Sequence, residues 1–178
     1  MIRVNFLSLG IITIMLVTIF LQSHSVYASD ITNINDILLI FDRITWEFTV
    51  DQIKQVFPNK EWAEFSLRNA KSYFFLSKID NEVVSIHFVF TNDGELFRIG
   101  IPFLFVDNAT AKVLCKKYLR IFKQHYGDRY HIGGYPSKGK DFSYMWRTKD
   151  SIIFLGINPE GQLTIHKIRK SKALYRFW

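Results

Sequence analysis

Two runs in which apolar and polar residues alternate, as in β-strands, constrain the fold of this chain more than any other feature. One long segment with apolar residues at helical spacing separates them. Residues 82–91 carry a large apolar side chain at every second position, and Asn92-Asp93-Gly94 follows them as a hairpin turn. A second run, which ends near Ile168, has turns of the same kind. We therefore expect two three-stranded antiparallel meanders. Their predicted strands are 73–76, 82–91 and 96–105 in the first meander, and 142–147, 152–157 and 163–168 in the second.

Three other segments have apolar residues at helical spacing. The first covers residues 31–41. The second begins at a capping box, in which Thr49 precedes Gln52 by three residues, and it stops at a proline. The longest covers residues 109–126 and ends at Gly127, because glycine readily adopts the left-handed conformation that closes a helix.

The order of these elements predicts an α+β fold of the type helix-meander-helix-meander. The sheet is expected to be mainly antiparallel, with about six strands and with the helices packed on one face. The turns at Asp93-Gly94 and Glu160-Gly161 occupy the same place in each half of the chain. They indicate an internal duplication of residues 46–106 and 107–170, although hairpins favour acid–glycine turns without any common origin.

The N-terminus has the pattern of an export signal. Arg3 is followed by an apolar run from Phe6 to Leu21, and a small residue stands at position 28. We predict a signal peptide over residues 1–28 and a single domain over residues 29–178, in a periplasmic or secreted protein. The apolar run is short for a membrane span, but an uncleaved anchor remains the alternative. No second stretch is long enough, so no transmembrane span is expected after cleavage.

Composition narrows the class of protein further. The chain has 178 residues, of which 48% are hydrophobic and only one is cysteine. It is too apolar for a disordered chain, and the single cysteine excludes both a disulfide scaffold and a cysteine-rich zinc module. Lys and Arg number 23 against 16 Asp and Glu, so the protein is basic.

The sequence shows no motif for catalysis, metal binding or cofactor binding. It has no nucleophile elbow, no phosphate-binding loop and no metal-type histidine spacing. Cys115 lies within the long helix, where a buried and inert thiol is expected. We therefore predict no catalytic residue, no metal and no cofactor. A small envelope hydrolase that joins Cys115 or an Asp to His87, His131 or His166 remains an alternative.

Basic residues concentrate on the long helix, which contains no acid. Four of them recur on one side at spacings of three or four residues, and two more lie in the glycine-rich loop 127–140. This pattern predicts attraction to an anionic partner, or alternatively an ordinary solvated face. Nucleic acid is disfavoured because the protein is expected to be exported. The candidate anion- or partner-binding residues are Lys112, Lys116, Arg120, Lys123, Lys138 and Lys140.

The stretch from Trp46 to Pro58, followed by Trp62, has an aromatic residue, a Thr cap, a short apolar helix and a Pro stop. With the order of elements, it resembles the small bacterial envelope modules typified by β-lactamase inhibitor proteins and outer-membrane-assembly lipoproteins. The resemblance implies a sheet with helices on one face and a non-catalytic binding role. We accordingly expect an exported, inhibitor-like or assembly-factor-like binding protein of the bacterial cell envelope. Its partner would be an acidic protein or another anionic envelope component. The alternative is a binder of anionic lipid or glycan that uses the basic helix face.

Overall fold

The computed structural model describes residues 31–133, 143–158 and 160–172. These residues form three α-helices and eight β-strands, and a short 3-10 turn, Lys170–Lys172, follows the last strand. The helices are α1 (Ile34–Arg43), α2 (Val50–Val56) and α3 (Asn108–Tyr126). The strands are β1 (Ala63–Leu67), β2 (Ala70–Ile79), β3 (Glu82–Thr91), β4 (Leu96–Pro102), β5 (His131–Gly133), β6 (Ser143–Arg147), β7 (Ser151–Ile157) and β8 (Leu163–Arg169).

All eight strands belong to one antiparallel sheet in the order β1-β2-β3-β4-β8-β7-β6-β5. Each half of the chain therefore contributes a four-stranded meander, and the two meanders meet where β4 pairs with β8. The predicted α+β class and the antiparallel sheet are confirmed. The duplication stays a prediction, although the strand order is symmetric about the β4–β8 pair.

The expected number of six strands was wrong, because two edge strands were missed. Every residue of β1 is exposed, so this strand has no buried face and no need for the alternation of apolar and polar residues that identifies a strand in the sequence. The other missed strand, β5, has only three residues and lies at the start of the predicted loop. In the predicted helix-meander-helix-meander order, each meander therefore has four strands rather than three. The predicted signal peptide and residues 134–142 lie outside the described residues.

Side-chain caps set the starts of the helices. The expected capping box of α2 is present, because Thr49 Oγ1 accepts from the Gln52 N–H at 3.3 Å and Gln52 Oε1 accepts from the Thr49 N–H at 2.9 Å. Asn33 caps α1, and Asp107 caps α3 by accepting from two backbone N–H groups. Gly127 ends α3 with φ +87°, as expected.

One hydrophobic core lies between the helices and one face of the sheet. Buried residues of all three helices share it with the alternate strand residues that include Phe75, Phe88 and Ile165. The opposite face of the sheet, which we call the open face, is covered by none of the three helices. Among the described residues, no helix combines the length and the apolar character that crossing a bilayer requires.

Candidate binding surfaces

The open face brings together side chains from both halves of the chain. Residues directly opposite one another in an antiparallel sheet point to the same face, so the register identifies which side chains are neighbours. One row of such neighbours crosses the middle of the open face from β2 to β6. Its members are Phe74, His87, Gly100, His166, Phe154 and Met145.

His87 is held firmly in this row. Its Nδ1 lies 3.0 Å from Ser72 Oγ and its Nε2 lies 2.7 Å from Ser85 Oγ. The ring also stacks on Phe74, with ring centroids 4.8 Å apart and an interplanar angle of 16°. Burial, with a smaller contribution from the Arg98 charge, lowers the pKa of His87 to about 4. The imidazole is therefore neutral at pH 7.

His166 lies on the other side of Gly100, in the same row. A Cβ atom on Gly100 would lie 3.1 Å from His166 Nδ1 and 3.4 Å from Arg98 Nε, so the glycine leaves room for these two side chains. Burial, followed by the Arg98 charge and by His87 in its protonated form at acidic pH, lowers the pKa of His166 to about 3. Its Nδ1 is buried and has no hydrogen-bond partner among the residues that the structure describes. The two histidines thus share one face, on strands about 10 Å apart.

The charges on the open face are of one sign. The register places Lys78, Arg98 and Arg147 on this face, and none of the described strands places an Asp or Glu there. Apolar side chains are exposed at the β1–β2 margin of the same face: Phe65 is 56% exposed, Leu67 is 40% exposed and Leu76 is 59% exposed. The open face is consequently both apolar and basic.

The predicted basic residues of α3 divide into two groups. Lys112, Lys116 and Arg120 are exposed, and no described acidic residue forms an ion pair with any of them. Lys123 is less exposed. Its Nζ lies 3.7 Å from Asp128 Oδ1 and 4.8 Å from the centre of the Tyr130 ring.

The other two predicted residues, Lys138 and Lys140, lie outside the described residues. A further lysine of α3, Lys117, is occupied by an acid. Its Nζ lies 2.9 Å from Asp80 Oδ2.

Cys115 does not converge with His87, His131 or His166. Cys115 is buried in the core between α3 and the sheet, whereas these three histidines lie on the open face. Burial raises the pKa of Cys115 to about 11, so the group is a thiol at pH 7. Among the described residues, no group of three His, Cys, Asp or Glu side chains could hold a metal ion.

One basic residue of the sheet, Lys167 on β8, is buried. Lys167 faces the core, and its ammonium group donates to the carbonyl oxygens of Phe41 and Ile44 at the end of α1. The Nζ atom also lies 5.0 Å from the centre of the Trp46 ring. Strand alternation was the signal that could have found it, because Lys167 stands two residues after buried Ile165.

No protein-family model matches the chain, and no curated protein or solved structure matches it either.

Proposed function

We propose that this protein is an exported, non-enzymatic binding protein of the bacterial cell envelope that holds an acidic protein on its open face. The observation that carries the proposal is the joint apolar and basic character of that face. Exposed apolar side chains supply the surface that association removes from water, and the basic side chains select the charge of the partner.

The apolar part of the surface lies at the β1–β2 margin. Phe65, Leu67 and Leu76 project from adjacent strands, and their exposure is unfavourable for an isolated protein. Aromatic and aliphatic side chains of this kind are typical anchors at protein interfaces. They support a protein as the partner, because a small ion would leave them in water.

The charge of the open face supports an acidic partner. Lys78 is exposed, and the other charged strand residues on that face are also basic. Complementary charge accelerates encounter and excludes partners of like charge. A partner with Asp or Glu around an apolar centre would fit both properties.

The chemistry of the candidate reactive groups disfavours the hydrolase alternative. Cys115 is buried as a thiol, away from the histidines. Although Ser85 Oγ lies 2.7 Å from His87 Nε2, the lowered pKa makes His87 a weak base at pH 7. These features support binding rather than covalent catalysis.

The envelope location depends on the predicted signal peptide. If residues 1–28 are removed, the exported protein begins at Ser29. Mass spectrometry of the protein recovered from the producing cells should show this N-terminus. Recovery of the intact chain from Met1 in the membrane fraction would instead favour an anchor.

Binding itself can be tested with a pair of variants. A double variant, Phe65→Ser and Leu76→Ser, removes the two most exposed anchors of the open face without touching a buried residue. Leu39→Ser is the matched control, because Leu39 is exposed on α1, on the helix side of the molecule. We expect an acidic envelope protein to co-purify with the wild type and the control but to be lost from the double variant. Equal recovery with all three proteins would exclude the open face as the binding surface.

A further inference from the structure

Phe105 has two features that folding alone does not favour. Its side chain is 94% exposed, and its backbone adopts φ +61°, which is rare for a bulky residue. Hydrogen bonds hold the chain on both sides of it. The Leu104 N–H donates to the Val83 carbonyl at 2.8 Å, and Asp107 caps α3 two residues later. The loop therefore presents an aromatic ring to the surroundings.

The α3 helix follows this loop directly in the chain, and its outer side is also exposed. Val113 is 68% exposed, and Lys112, Lys116 and Arg120 are exposed around it at helical spacing. The helix contains no acid. The nearest carboxylate along the chain, Asp107, is occupied by the Ala109 and Thr110 N–H groups, at 2.8 and 3.0 Å.

We propose that Phe105, Lys112, Val113, Lys116 and Arg120, together called the α3 surface, dock on an anionic lipid bilayer. Such a bilayer accepts an apolar side chain between its headgroups, and its phosphates attract the basic side chains. Single projecting side chains suit a deformable bilayer, whereas a rigid protein partner would need a pocket of matching shape for each of them. Charge complementarity selects anionic over neutral lipid.

The basic side of α3 faces away from the sheet, because the opposite side of this helix is buried in the core. A bilayer on α3 and a protein partner on the open face would therefore contact different sides of the molecule. The two ligands could therefore be bound at the same time. A result that excludes binding at one of these surfaces would leave the evidence for the other unchanged.

The test measures sedimentation with vesicles of phosphatidylcholine alone or with 30% phosphatidylglycerol, at low and at physiological salt. Every protein is purified as the producing cells export it, so all variants share one N-terminus. We expect the wild type to bind the anionic vesicles at least about tenfold more strongly than the neutral ones. Replacing Lys112, Lys116 and Arg120 with Gln should reduce this binding by about tenfold or more, mainly at low salt.

Phe105→Ser tests the apolar part of the contact. It should weaken binding about fivefold at both salt concentrations, because insertion of an apolar ring is not screened. Its fold is checked by thermal unfolding. Since φ +61° is no easier for Phe than for Ser, we expect no loss of stability from the exposed position.

A matched control removes the same charge elsewhere: Arg68, Lys149 and Lys170, all exposed, are replaced with Gln. It should retain most of the binding. Equal losses in the control and the α3 variant would overturn the proposal, because net charge alone would then explain the attraction. Equal binding to neutral and anionic vesicles would also overturn it. A third result would also overturn it: vesicle binding that is unchanged in the Phe105→Ser variant and that soluble polyphosphate abolishes completely. This result would indicate a site for a soluble anion.

Discussion

Lys167 shows how one side chain can join a helix to the sheet. The last carbonyl groups of a helix have no partner within the helix. The Lys167 ammonium group donates to one of them, at Phe41 in the last turn of α1, and to the carbonyl of Ile44, the residue that follows α1. Burial lowers the pKa of this lysine, while the nearby acids Asp150, Asp42 and Glu47 act in the opposite direction. The cost of burying the charge is thus offset by hydrogen bonds and by the Trp46 ring.

We predict that Lys167→Met destabilises the protein by about 1–3 kcal/mol, because it leaves two carbonyl groups at the end of α1 without their donor. The free energy of unfolding in urea measures the effect. Lys170→Met, at an exposed position three residues later, is the control and should change it by less than about 0.5 kcal/mol. A Lys167→Met protein as stable as the wild type would show that this lysine is not needed there.

His87 should make stability depend on pH. Its pKa is about 4 in the folded protein and about 6.5 when unfolded, so the unfolded chain binds the proton more tightly. Stability should therefore fall as the pH decreases from about 6.5 to about 4, by up to about 3 kcal/mol from this group. His87→Gln keeps polar atoms for Ser72 and Ser85 but removes the titration. Urea unfolding at pH 7 and pH 4.5 should show a smaller difference for the variant, and an equal difference would contradict the assignment.

At the scale of elements, the sequence predicts those that have a strong local signal. The α2 capping box and the glycine at the end of α3 are confirmed because local hydrogen bonding and backbone conformation determine them. The missed strands β1 and β5 have no such signal: one is exposed throughout, and the other has three residues held only by pairing with β6. Edge strands depend on their neighbours in space, which local periodicity does not reveal.

The α3 helix allows a test of charge against stability. Lys112, Lys116 and Arg120 repel one another at four-residue spacing, and no described acid forms an ion pair with them. Replacing all three with Gln should leave the free energy of unfolding unchanged or raise it by a few tenths of a kcal/mol. Lys123→Gln should not be stabilising, because Lys123 lies against Asp128 and Tyr130. Loss of more than about 1 kcal/mol in the triple variant would show that these residues support the fold.

At the scale of the whole molecule, the pairing of β4 with β8 determines which side chains meet. It places His87 from one meander and His166 from the other beside Gly100, although 78 positions separate them in the sequence. Sequence alternation predicts that each histidine faces away from its apolar neighbours. It does not predict which strands are adjacent, so the candidate site on the open face could not be assembled from sequence. The row of basic residues on α3 could be predicted from the sequence, because all of its members lie within one helix.

The most direct test of the open face as a binding surface is photo-crosslinking in the producing cells. A photoreactive amino acid replaces Leu76 on the open face or, as the matched position, Leu39 on α1, since both side chains are exposed. We expect one dominant adduct, containing an acidic envelope protein, from position 76, and we expect no such adduct from position 39. Adducts of equal yield at both positions, or an adduct at Leu39 alone, would contradict binding of the partner on the open face of the sheet.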